Sequence, residues 1–224
     1  QVVLQELGQS RDTPDDIIFD HLQTAVYPDQ PMGWPILGEE NTVSNFSQMQ
    51  LRDYMGANYK AGSMLLIASG AVDHKTLVAM AEEKFGALQN GMAEAPRGAV
   101  YGGADMRVKE DLEQAHLAYA FPGLAGDDPD LYVMQTYVMA LGGGMSSRLF
   151  QEVREKRGLC YSVYGFAQPA ADSGMIGIYA GTGEKEAEEI SAVIAGEMAA
   201  LAANANEMEV ARARAQMKSS LLMG

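Results

Sequence analysis

The sequence predicts an α+β fold, an antiparallel sheet covered by helices, on three observations. Two strand-like runs, 161–166 and 175–179, flank the turn-forming stretch "AQPAADSG" and read as a hairpin. Helical patterns with capping residues are grouped on either side of that hairpin. The chain has 224 residues, 47% of them hydrophobic, which is enough apolar surface for a real core.

Taken in order, residues 1–8 read as the end of a helix, with Val2, Val3 and Leu7 apolar and Gly8 as the stop. A second helix starts at "DTPDD": Asp12 or Thr13 caps it, Pro14 sits early and acids fill its first turn. Its periodic face is Ile17, Ile18, His21, Leu22 and Ala25. Pro28, Pro31, Gly33, Pro35 and Gly38 then make a loop. A helix over 47–59, a short strand over 64–69 and a helix over 73–85 follow. From Gly86 to Gly103 the chain turns small and flexible, and 91–103 is the linker that divides a first part, 1–90, from a second, 104–224. Beyond it come strands over 106–108 and 116–121, then a helix over 129–141 capped by Asp127 or Asp128. A charged helix ends at Gly158, the hairpin follows, and helices over 184–203 and 207–222 close the chain.

Composition narrows the function classes. The formal net charge is −14, and Lys and Arg form no cluster that would displace counterions from a phosphate backbone, so no nucleic-acid partner is expected. The most apolar run, "SMLLIASGAV", is half of what a bilayer requires, so no membrane partner is expected either. A single cysteine rules out an internal disulfide and an all-cysteine zinc cage, and it is compatible with a reducing cytoplasm. The start, "QVVLQELGQS", opens inside a hydrophobic pattern without Met, which suggests a piece of a longer polypeptide.

Most chemical motifs are missing or poorly formed. His21, His74 and His116 lie in separate elements without metal-ligand spacing, and read as structural or surface residues. No G-x-S-x-G stands between a strand and a helix. Cys160 reads as a small half-buried residue, although Arg157 is near. "YAGTGEKE" passes from strand to helix but puts Glu184 and Glu186 where they would repel phosphate. The triple glycine Gly142–Gly144 is different, because its entropic cost implies a required backbone conformation. Either a tight helix connection or a hinge and ligand surface would explain it. In the helix after it, Leu149, Phe150 and Val153 form a packing stripe, and Glu152 and Lys156 pair at i,i+4. Arg154 lies in the last turn, seven residues before Tyr161. A chain reversal at Gly158 would bring guanidinium and phenol together.

These residues carry a family resemblance. "LGGGMSSRLFQEVREKRGLCYSVYGF" resembles the C-terminal-domain signature of the M16 metallopeptidases. These are the inverted-motif zinc enzymes, or inverzincins, that include mitochondrial processing peptidase, pitrilysin and insulin-degrading enzyme. "QVVLQELGQSRDTPDDIIFDHLQTAVYPDQPMGWPILGEENTVSNF" is similar to the segment after the H-x-x-E-H helix in processing-peptidase-like (M16B) bacterial members. "LLIASGAVDHKTLVAMAEEKFG" resembles the closing strand and helix of their N-terminal domain.

The resemblance implies parts of two similar α+β domains of the LuxS/MPP-like type around a chamber. Residues 1–90 would finish the first, and 104–224 would make most of the second. In the family, zinc is held by both histidines of H-x-x-E-H and by a later glutamate. "QVVLQE" matches the second half of that glutamate's pattern, so Glu6 inherits the third ligand. The R-E-K-R-G-L-x-Y setting implies that Arg154 and Tyr161 contact bound peptide. Gly142, Gly143 and Gly144 match a glycine-rich segment associated with substrate entry. H-x-x-E-H is absent, and with it two zinc ligands and the general base. The chain by itself is therefore expected to bind no zinc and hydrolyse nothing. Its parent is expected to be a zinc endopeptidase acting on peptides, unfolded polypeptides or presequences, as a monomer, homodimer or heterodimer, in the cytoplasm or the periplasm. The alternative that the family offers is a non-catalytic partner or core subunit.

Overall fold

The computed structural model describes residues 1–223. Helix α1 (Val2–Arg11) runs through the expected stop at Gly8. What ends it is Pro14, whose ring disfavours the helical region for the residue before it: Thr13 is extended, with φ −119° and ψ 92°. Helix α2 (Pro14–Val26) then starts with Pro in its first turn, followed by Asp15 and Asp16. Neither expected cap bonds the helix start. The Thr13 hydroxyl turns back to donate to the Gln9 carbonyl at 2.8 Å. The buried side of α2 is Leu22 and Val26, continuing into Tyr27.

Packing divides the chain into two units, one of Gln1–Gly38 with the residues from Gly98 onward, the other of Glu39–Arg97. These units record packing among the described residues. The stretch 91–103, where the sequence places its division, carries no helix or strand.

The unit Glu39–Arg97 holds α3 (Glu40–Ser44), α4 (Gln48–Asn58) and α5 (His74–Phe85). Ser47 and Gln50 form a reciprocal capping box on α4, and the Asp73 carboxylate accepts from the Thr76 N–H at 2.9 Å to cap α5. The expected strand over 64–69 does not form. A strand exists through its ladder, and this backbone pairs with no strand among the described residues. Leu65 and Ile67 are 84% and 78% exposed, and no residue between Glu39 and Arg97 is buried. Leu66, Ile67, Leu77 and Val78 line an open apolar groove in this unit.

The other unit is built on a three-stranded antiparallel sheet of order β1-β3-β2, from β1 (Ala115–Pro122), β2 (Cys160–Pro169) and β3 (Gly174–Thr182). The hairpin is as expected. The strand expected over 106–108 is irregular for the same reason as 64–69. Helices α6 (Leu131–Gly142), α7 (Ala187–Asn204) and α8 (Glu207–Met223) complete the unit, with a π-helix (Phe150–Lys156) between α6 and β2. Helix α6 begins later than expected, after Asp130. Asp128 still contributes, accepting from the Asp130 N–H at 2.8 Å.

Side chains alternate across the sheet. Leu117, Tyr119, Val163, Ile178 and Ala180 face a core shared with Leu141, Leu149, Val153, Ile190, Ile194 and Leu201. Ala118, Ala120, Phe166 and Met175 face the second core, with Leu22, Val26 and Tyr27. No helix among the described residues is long and apolar enough to cross a membrane.

One ion pair ties the helical layer together. Arg148 bonds both oxygens of Glu209 (2.7 and 2.9 Å) and the Asn204 carbonyl (3.0 Å). Glu209 also accepts from the Asn206 N–H, while Asn206 accepts from the Glu209 N–H, so the same carboxylate caps α8. Only about a sixth of either side chain is exposed. The bonds from Arg148 hold the Glu209 carboxyl below its ordinary value.

Two predictions follow from this packing. In amide hydrogen exchange on the 224-residue chain, residues 64–69 are expected to exchange with opening free energies near zero while β3 shows the strongest protection; slow exchange over 64–69 would contradict the uncovered arrangement. For the ion pair, a depressed folded pKa means its stabilisation is present above the unfolded value and lost as pH falls through the folded one. Urea unfolding should therefore show stability declining below about pH 4.5. E209Q should remove about 2–3 kcal/mol at neutral pH and flatten that decline.

Candidate functional site

Helix α6 ends where Gly142 meets β2. A Cβ on Gly142 would stand 2.3 Å from the Gly165 nitrogen and 2.9 Å from its Cα, so the helix approaches the strand backbone to backbone. That contact gives Gly142 a packing requirement independent of any ligand. Gly143 follows, its carbonyl accepting from Gln216 of α8 at 2.8 Å. The same Gln216 side chain lies 2.7 Å from where a Cβ on Gly144 would be. The triple glycine is thus a close-packed joint braced from α8, consistent with the tight-connection reading of the sequence.

After this joint the chain forms the π-helix, with Leu149 and Val153 wholly buried. Phe150, expected in the same packing stripe, is only half-buried. Four residues on, in the same π-helix, comes Arg154. The Arg154 guanidinium carbon lies 4.7 Å from the centre of the Phe150 ring. Glu152 and Lys156 pair on the outer face, as their spacing predicted.

Gly158 adopts φ +64° and ends the helix, and the Leu159 N–H bonds back to the Val153 carbonyl. The chain reverses there into β2. Pairing with β3 slips at once: Cys160 faces Thr182 and Ser162 faces Gly181, which leaves Tyr161 as the extra residue of a β-bulge. Freed from the ladder, Tyr161 is 73% exposed, and its ring centre is 4.9 Å from the Arg154 guanidinium carbon. The structure therefore brings Arg154 and Tyr161 together, with Phe150 as a third member. The bulge that presents Tyr161 has no signature in the sequence. An aromatic four residues before an arginine was the signal available for Phe150.

The electrostatics around the pair favour an electron-rich ligand group. Among the described residues Arg154 donates no side-chain hydrogen bond, and its nearest carboxylate oxygen, on Glu155, is 3.9 Å away. A guanidinium lying against rings keeps its in-plane N–H fork free for a carbonyl or carboxylate. Arg157 lies 3.7 Å from Glu189. Burial raises the Cys160 thiol above its ordinary range, against the opposing pull of Arg154. His116 bonds the Tyr179 hydroxyl at 2.8 Å, a structural role.

Glu6 lies on the exposed face of α1 and has no hydrogen-bond or ion-pair partner among the described residues. No group of three His, Cys, Asp or Glu side chains comes together among them. A catalytic zinc takes three protein ligands, so the residues present do not by themselves fit the metal.

Comparisons with known proteins agree on one family. A family model described as the peptidase M16 inactive domain matches residues 45–217. An uncharacterized zinc protease of Rickettsia felis is 39% identical over 224 residues, covering 100% of this chain and 54% of the relative. One of Bacillus subtilis is 35% identical, covering 99% of this chain and 54% of its own length. The chain thus spans about half the length of the curated relatives it matches. Two solved structures share the fold. A peptidase M16 inactive domain from Pseudomonas fluorescens has a TM-score of 0.83 at 24% identity, over 97% of this chain and 54% of that one. A chain of complex III2 from Candida albicans has a TM-score of 0.91 at 22% identity, over 99% and 55%.

Proposed function

From its place in the M16 peptidase family, to which this chain belongs, we propose that it is the peptide-gripping portion of a zinc-dependent endopeptidase. The observation that carries this reading is the bulge that turns Tyr161 out of the sheet and against Arg154. That places a phenol and an unspent guanidinium fork side by side on an exposed surface. Together they can hold a peptide backbone, Arg154 donating in plane to its carbonyls and Tyr161 donating its hydroxyl. The substrates are extended peptides, unfolded polypeptides or presequences, accepted by strand addition at a sheet edge. The names of the relatives support the metal-dependent class.

Because one carboxylate does not make a zinc site, Glu6 is proposed as a single ligand whose companions belong to other residues of the full-length polypeptide. On this reading the chain supplies peptide orientation and no hydrolysis. Gly143 and Gly144 are proposed to flank the bound peptide beside the π-helix, with Gly142 holding α6 to β2. The working assembly is a homodimer or heterodimer of the full-length protein. Cytoplasm is the compartment proposed from the lone cysteine.

A second reading, a non-catalytic partner or core subunit that recognises peptide, is favoured by the likeness to the complex III2 chain. That likeness extends to the fold alone.

Both readings meet two measurements on the full-length polypeptide. R154A and Y161F should each raise KM for an extended peptide, R154A by about tenfold to a hundredfold, as expected for a lost hydrogen bond from a charged group. An unchanged KM would remove the gripping role. E6Q should reduce zinc content, read by atomic emission, to background; undiminished zinc would remove Glu6 from the site, and a wild-type protein without zinc would favour the partner reading.

A further inference from the structure

The π-helix carries an aromatic ring beside the arginine of the candidate site. Phe150 is half-buried between the fully buried Leu149 and the exposed Gln151, and its ring meets the Arg154 guanidinium at 4.7 Å. The ring, partly buried, carries on its face a charged group that donates no side-chain hydrogen bond among the described residues. An arginine side chain left to itself samples many rotamers and loses that freedom each time it binds. A ring on its own helix removes much of that cost in advance, because the guanidinium is attracted to the ring face while its in-plane donors stay free.

We propose that Phe150 is a positioning residue. It holds Arg154 against Tyr161 with its N–H fork presented to the peptide, and so sets peptide affinity without touching the peptide. The inference rests on the peptide-gripping reading above and goes beyond it by assigning a third residue to the grip. Phe150 and Arg154 lie four apart in the π-helix, while Tyr161 comes from the bulge of β2. The grip is therefore assembled from two elements, and Phe150 fixes the helical half.

A double-mutant cycle in the full-length polypeptide tests this. F150L is expected to raise KM for an extended peptide by about threefold to tenfold, the scale of one cation–π contact, with kcat within about twofold. F150Y, which keeps the ring, is expected to restore the wild-type KM. In the R154A background F150L should have no further effect, because its influence passes through Arg154. An equal KM increase in both backgrounds, or full wild-type KM in F150L alone, would overturn the proposal.

A second measurement keeps the claim separable from the gripping role. In NMR spectra of the 224-residue chain, the Arg154 Nε–H resonance should move toward the position of an exposed arginine in F150L and stay in place in F150Y. An unmoved resonance in F150L overturns the positioning claim whatever the kinetics. If R154A itself leaves KM unchanged, it is the gripping role that falls, and the NMR comparison still decides whether Phe150 holds Arg154. Should F150L fail to fold, F150M serves in both measurements with the same expected outcomes.

Discussion

Strand β3 is the constraint on which the larger unit depends. It is hydrogen-bonded on both edges, to β1 and to β2, and its residues are buried almost throughout. Ile178 and Ala180 point into one core and Met175 into the other, so a single strand commits both faces of the sheet. Burial on both sides requires every backbone donor and acceptor along it to be paired, and the two antiparallel ladders do this. Small residues let neighbours close in: a Cβ on Gly177 would collide with the Phe166 ring at 2.0 Å. Helix α6 packs on β2 and α2 on β1, the two strands that β3 joins, while α7 and α8 pack against α6.

The candidate site sits where that regularity ends. Pairing of β2 with β3 holds from Ser162 onward and slips before it, so Tyr161 escapes the ladder at the point where the chain arrives from the π-helix. Two departures from ideal geometry, a π turn and a β-bulge, meet across Gly158 and aim an arginine and two rings at one another. Such departures cost hydrogen-bond regularity, and proteins tend to keep them where a side chain must be redirected. The joint before them is held by the Gly142–Gly165 approach and by Gln216, while Arg148 and Glu209 lock the π-helix entry to α8.

The other unit differs in kind. Its helices are well capped, yet Leu65, Ile67 and their neighbours remain exposed and no core residue is found in it. Caps stabilise helix ends locally, whereas burial requires a second apolar surface, and none covers this one among the described residues. The chain spans about half the length of the curated relatives it matches, with a core in one unit and no buried residue in the other.

What the sequence determined by itself was local. Pro14 starts α2, Asp73 caps α5, Gly158 ends the π-helix, and alternating apolar residues around "AQPAADSG" make the hairpin, because each depends on backbone preferences and neighbours a few residues away. The motif around Arg154 and Tyr161 was legible for the same reason, as seven residues and a glycine are enough to bring two side chains together. Whether 64–69 and 106–108 become strands was not legible, since a ladder needs a partner from elsewhere in the chain. Nor was the bulge at Tyr161, which exists only as a mismatch between two strands. Those were decided by tertiary structure, because register and burial are properties of pairs of elements and a single segment does not possess them.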